Sequence, residues 1–132
     1  MELPIQISDF KDGKSLFITA TINGKKANLL LDTGASKSVI DSRKLSKYTS
    51  DKPLKSFSVS GVNENVETSE INIKRFLLGD KEMKNIYFYV MDLINLNNAF
   101  SSNYIKVVDG ILGNDVLTEL KCVIDLNKMI IF

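Results

Sequence analysis

Apolar and polar residues along this chain fall into short runs that mostly follow the two-residue period of strands rather than the longer period of helices. Leu16-Phe-Ile-Thr-Ala-Thr-Ile22 and the stretch Lys25 to Leu31 flank Asn23-Gly24, a dipeptide suited to a tight β-hairpin turn. Ile71 to Leu78 and Lys84 to Met91, separated by Gly79-Asp80-Lys81-Glu82, predict a second hairpin. In Phe57-Ser-Val-Ser-Gly61-Val-Asn-Glu-Asn-Val66 the alternation continues on both sides of Gly61, as two strands meeting at a glycine turn would require. Helical signals are few: Asp41 to Lys47 and Val116 to Leu120 each predict one short helix. The Asn- and Ser-rich stretch Asp92 to Tyr104 fits neither period and is expected to be a loop or an irregular helix. With no internal repeat and no low-complexity tract, residues 1–132 read as one mostly β domain.

One turn carries chemistry. Asp32-Thr33-Gly34 follows the apolar run Leu29-Leu30-Leu31 at the end of the first hairpin and leads into Ala35-Ser36. A carboxylate directly after a buried strand, in a turn whose glycine lets another backbone approach, suits an acid that shares a proton with a partner. Such a tripeptide is also an ordinary surface turn, so its surroundings decide. The hairpin delivers Asp32 at the end of its second strand. Farther along, Ile111-Leu112-Gly113-Asn114-Asp115 places an apolar pair and a glycine before the Val116 helix.

In these parts, in this order and spacing, the chain from about Leu16 to Phe132 resembles the retropepsin-like aspartic proteases. The resemblance implies a retropepsin-like closed, orthogonal β-barrel with one or two short helices, a flap hairpin around Gly61, and closing strands between Val123 and Phe132. It also implies an aspartic endopeptidase with Asp32, Thr33 and Gly34 as its catalytic loop. Two carboxylates around one water are needed, one taking the proton of the attacking water and one donating to the developing oxyanion. This chain supplies one such loop, so a homodimer is expected, with Asp32 of each copy meeting across a two-fold axis.

By the same resemblance, Thr33 hydrogen-bonds across that axis, and Gly34 leaves space and an N–H beside the carboxylate. Leu30, Val39, Val62 and Ile111 line apolar pockets flanking the scissile bond, and Gly61 lies in the flap that closes on an extended peptide. Ala35, Ser36, Leu112, Gly113 and Asn114 support the loop. Ala35 stands where pepsin-like enzymes usually have Ser, whose hydroxyl favours the ionised carboxylate, so a less acidic pH optimum is expected. Ser36 and Asn114 stand where retroviral enzymes carry an acid and an Arg. A neutral Ser36-to-Asn114 hydrogen bond is expected in place of that ion pair. Asp115 is expected to cap the following helix, with a catalytic role as the alternative, and Asp109 to add a charge-based exclusion near the pockets.

Composition narrows the alternatives. Of 132 residues 44% are hydrophobic, enough for one core, and 17 basic against 16 acidic residues give no charge excess to attract nucleic acid or an anionic membrane. Histidine is absent, which removes Ser-His and Cys-His catalysis and the commonest metal ligand. No metal or organic cofactor is expected. Cys122 is alone and reads as a small buried apolar residue. The sequence shows no apolar run long enough to span a bilayer, and as given it reads as cytoplasmic; a leader removed before Met1 would leave no trace in it. A catalytically silent dimeric peptide-binding or regulatory module of the same fold is the alternative function, because an intact acid does not by itself make a competent site.

Overall fold

The computed structural model describes residues 2–60 and 64–132, with side-chain surroundings for 2–55 and 68–132. Its strands are β1 (Leu3–Pro4), β2 (Gln6–Phe10), β3 (Gly13–Ile22), β4 (Lys25–Leu31), β5 (Val39–Asp41), β6 (Leu54–Ser60), β7 (Glu64–Leu78), β8 (Lys81–Met91), β9 (Gly110–Leu112), β10 (Ile124–Asp125) and β11 (Ile130–Ile131). A 3₁₀ helix spans Ser42–Lys47, and two α-helices, α1 and α2, span Ile94–Ser102 and Asn114–Glu119.

Eight strands pair in the order β2-β3-β4-β9-β5-β8-β7-β6, and an additional pairing of β3 with β7 closes the middle six into a barrel. A small sheet, β1-β11-β10, joins the two ends of the chain. This is the mostly β, closed-barrel architecture that the sequence predicts.

The first hairpin forms as expected. Asn23 and Gly24 take positive φ angles of 48° and 85°, and Ile22 pairs with Lys25. The turn is also fastened to its neighbours: the Asn23 amide donates to the carbonyl of Tyr48 at 3.1 Å, and its oxygen accepts the N–H of Arg75 at 3.0 Å.

Strand alternation sorts the β4 residues onto two faces. Ala27, Leu29 and Leu31 point into the barrel, where they join Ile18, Ile22, Ile40, Ile73, Phe76, Phe88 and Leu112. Asn28 and Leu30 take the opposite face. There a second apolar cluster of Phe17, Val39, Leu93, Phe100 and Val108 lies between the barrel wall and α1.

Several boundaries differ from expectation. The second hairpin is tighter and longer: β7 starts at Glu64, and Leu78 pairs directly with Lys81 across a two-residue Gly79-Asp80 turn. Gly79 has φ 63°, so it supplies the left-handed turn geometry that places Lys81 and Glu82 in the strand. Asp92 to Tyr104 contains a true helix. Its apolar period is hidden because an inward position is occupied by Asn97, whose amide donates to Asp41 Oδ2 at 3.2 Å and to the carbonyl of Val108 at 3.0 Å, while its oxygen accepts the Val108 N–H at 2.9 Å. Phe100, the other buried residue of α1, sits edge-on to Phe10 and Phe17 at centroid distances of 4.9 and 5.4 Å. Asp92 starts the helix by accepting the N–H of Ile94 at 2.9 Å.

β6 and β7 pair from Leu54↔Glu70 to Ser60↔Glu64. This is the stem of the expected flap; Gly61 and Val62 lie outside the described residues.

Candidate active site

Asp32 is placed by an interlock of three strands. β9 runs parallel to β4 and antiparallel to β5, so the second motif is inserted between the two strands that the Asp32–Ser38 loop connects. Backbone and side-chain hydrogen bonds then join loop to motif. The Asp32 N–H donates to the carbonyl of Leu112 at 3.0 Å, and the Asn114 N–H to that of Ala35 at 2.8 Å. The Asn114 side-chain amide donates to the carbonyl of Thr33 at 2.6 Å. The Gly113 N–H donates to Ser38 Oγ at 2.9 Å.

Within the loop, the Gly34 N–H donates to Asp32 Oδ1 at 2.9 Å. Space is tight here: a Cβ on Gly34 would lie 3.1 Å from the same oxygen, and one on Gly113 would lie 2.8 Å from the carbonyl oxygen of Ala35. Gly34 therefore lets its backbone approach the carboxylate, and Gly113 lets the second motif pack against the backbone of the Asp32 loop.

The geometry beneath the loop differs from the expected Ser36-to-Asn114 bond. Ser36 is exposed and makes no side-chain hydrogen bond among the described residues, and Asn114 is engaged with Thr33 instead. The buried polar link is made by Ser38 and Asp115. Asp115 Oδ1 accepts the Ser38 hydroxyl at 2.7 Å and the Ser38 N–H at 3.0 Å. Asp115 is thus inside the first turn of α2 rather than at its cap, a position held by Gly113. Its other oxygen, Oδ2, is buried without a hydrogen-bond partner among the described residues.

An open cleft of about 280 Å³ adjoins Asp32 and Thr33, lined further by Lys14, Ser15, Leu16, Leu30 and Leu31. Lys14 is paired with Asp9, and its ammonium holds the Asp9 carboxyl below the usual range by hydrogen bonding and charge. Of the other pocket candidates, Leu30, Ile111 and Val39 are direct register neighbours across β4, β9 and β5. Leu30 faces the cleft, Ile111 is half-buried, and Val39 is buried in the cluster under α1. Lys37, which the sequence did not single out, lies 3.7 Å from Glu70 of β7 and 5.0 Å above the Tyr89 ring, linking the loop to the stem of the β6–β7 hairpin.

Asp109 is not at the cleft. Its Oδ2 accepts the N–H of Asn28, four residues before Asp32 on β4 and so about 13 Å away along the strand. Lys44 and Lys47 flank it at 3.6 and 3.9 Å. Cys122 is partly buried against the main core, where desolvation pushes its thiol upward and disfavours the reactive thiolate. No group of His, Cys, Asp and Glu among the described residues is arranged to hold a metal ion.

The sequence profile of the aspartyl protease family matches residues 18–116, which include the Asp32 loop, β9 and the start of α2. The chain belongs to the aspartyl protease family. Among solved structures, this aspartyl protease domain is similar to a retropepsin-like aspartic protease from Rickettsia conorii, with 22% identity, a TM-score of 0.64, and 99% of this chain covering 87% of that one. It is similar also to the EIAV protease complexed with the inhibitor HBY-793, with 25% identity, a TM-score of 0.59, and 90% of this chain covering all of that one. No curated protein sequence gave a match. The domain is thus retropepsin-like in fold.

Proposed function

We propose that this domain is an aspartic endopeptidase that hydrolyses peptide bonds as a homodimer. The observation that carries the reading is the Asp32 carboxylate. It is held by the Gly34 N–H in a loop fastened on both sides, at the edge of a cleft, and the sequence carries one such Asp-Thr-Gly loop. A second copy across a two-fold axis supplies the second acid. One Asp32, ionised, takes a proton from the water as it attacks the carbonyl carbon. The other, protonated, donates to the carbonyl oxygen, and the tetrahedral species then collapses with proton transfer to the leaving amine. The substrate is an extended peptide with apolar side chains beside the scissile bond, in keeping with Leu16, Leu30 and Ile111.

Incubation with a peptide library tests this, with a statine-type inhibitor and Asp32→Asn as controls. Turnover that disappears in both controls is expected. Peptide binding without turnover by the dimer would instead identify a silent peptide-binding module.

A further inference from the structure

A second concave surface lies on the outward face of β3 and β4, away from the catalytic loop. A cavity of about 470 Å³ is bordered by Lys26 from β4, Lys44 and Lys47 from the 3₁₀ helix, and Lys106 from the segment after α1. One acid, Asp109, shares this surface. The excess of three positive charges in one groove exceeds the net charge of +1 carried by the whole chain. Folding has therefore gathered lysines from three separated stretches, while acids are distributed elsewhere.

Asp109 does not saturate these lysines. Its side chain is 11% exposed, and its Oδ2 already accepts the Asn28 N–H at 2.9 Å. The Lys44 and Lys47 ammoniums lie beyond ordinary hydrogen-bond length from it and remain 31% and 49% exposed. Lys26 and Lys106 form no ion pair among the described residues. The basic cavity continues into a neighbouring one of about 270 Å³, which shares Thr19, Asn28 and Lys106 and adds the apolar sides of Phe17 and Ile105. From Lys26 to the register of Phe17 the groove runs about four strand residues, or roughly 13 Å.

We propose that this groove docks an acidic, extended polypeptide segment, with carboxylates at the lysine end and an apolar side chain between Phe17 and Ile105. The chemistry favours a peptide over a phosphate group. The lysines are dispersed point charges with no guanidinium fork among them, and the nearby N–H groups of Asn28 and Asp109 are already bonded to each other's residues. Tyr48, the aromatic residue packed beside the Lys47 ammonium, is buried and offers no open face on which a nucleic-acid base would stack. The inference stands on the groove alone and does not require the domain to cleave anything.

Fluorescence anisotropy with a labelled peptide of four glutamates followed by leucine tests it on the full chain. Binding is expected to weaken with added salt and to fall about tenfold or more in Lys26→Glu/Lys106→Glu. Lys26→Gln/Lys106→Gln, a gentler exposed change, should show a smaller loss in the same direction. Lys52→Glu/Lys128→Glu, which reverses exposed charges elsewhere, should bind as the parent does. Equal losses in that control, competition by inorganic phosphate as effective as by unlabelled peptide, or no binding by the parent would each overturn the proposal.

Discussion

The Ser38 hydroxyl donates to Asp115 Oδ1 at 2.7 Å, joining the residue that ends the Asp32 loop to one in the first turn of α2, 77 positions later in sequence. Ser38 also accepts the Gly113 N–H and is fully buried. A single side chain therefore ties the Asp32 loop to the Gly113–Asp115 turn that opens α2. Ser38→Ala leaves the Gly113 N–H and Asp115 without these bonds and is expected to cost about 1–3 kcal/mol in urea unfolding. Asp115→Asn should cost less than Asp115→Ala. It retains an acceptor for Ser38 and puts an amide where Oδ2 now lies buried without a partner among the described residues. Equal losses in the two Asp115 variants would show that Oδ1 is not the working acceptor.

Gly113 and Gly13 give a contrasting pair of substitutions. A Cβ at Gly113 would lie 2.8 Å from the Ala35 oxygen and 2.9 Å from that of Lys37, both backbone atoms that cannot move without the loop. Nothing lies within 4 Å of a Cβ at Gly13. Gly113→Ala should cost about 1–3 kcal/mol and lower turnover at temperatures where the variant is still folded, because the displaced loop carries Asp32. Gly13→Ala should stay within about 0.5 kcal/mol of the parent. Thermal melts beside kcat at a permissive temperature separate the two effects.

Much of the barrel was legible because local and tertiary signals agreed. Leu29 and Leu31 alternate with Asn28 and Leu30, Asn23-Gly24 has the conformational preference its turn needs, and the Ile111-Leu112-Gly113 motif packs beside the Asp32 loop as the family resemblance implies. Several of the differences share one cause, polar residues used as interior parts. Asn97 broke the helical pattern of α1 because its inward face is satisfied by Asp41 and Val108 rather than by carbon. Ser38 gave no sign of being buried, and Asp115 resembled a helix cap. Ser36 and Asn114 were paired by analogy of position, whereas in the fold Asn114 turns to the Thr33 carbonyl. Hydrogen-bond partners depend on direction as well as proximity, and sequence spacing encodes only the latter.

Tyr48 predicts how the domain responds to alkali. Its ring is buried and its hydroxyl donates to the Lys26 carbonyl at 3.1 Å. Burial first, then the charge of Asp109, raise its phenol above the ordinary value of 10.0. The unfolded chain thus releases this proton at a pH where the folded chain still holds it. The stabilisation is fully present below about pH 10 and is lost as pH rises beyond it. Tyr48→Phe should flatten that decline while removing the hydrogen bond to Lys26. Phenolate absorbance compared between parent and variant checks it: the difference should emerge together with unfolding, and an earlier rise would contradict the buried donor.

Subunit mixing gives the shared Asp32 site its sharpest consequence. If each active centre needs Asp32 from two chains, an equal mixture of parent and Asp32→Asn subunits that exchange freely contains about one quarter parent–parent dimers. Activity should then be about one quarter of that shown by the same total concentration of parent protein. Centres complete within one chain would give about one half. Dilution adds an independent reading, since activity per mole should fall as dimers dissociate, and saturating inhibitor should hold the native mass at that of the dimer on dilution by binding only the assembled site. A one-half result, or activity per mole unchanged by dilution to the point where native mass shows only monomer, would refute the shared centre and return Asp32 to the role of an unpaired acid.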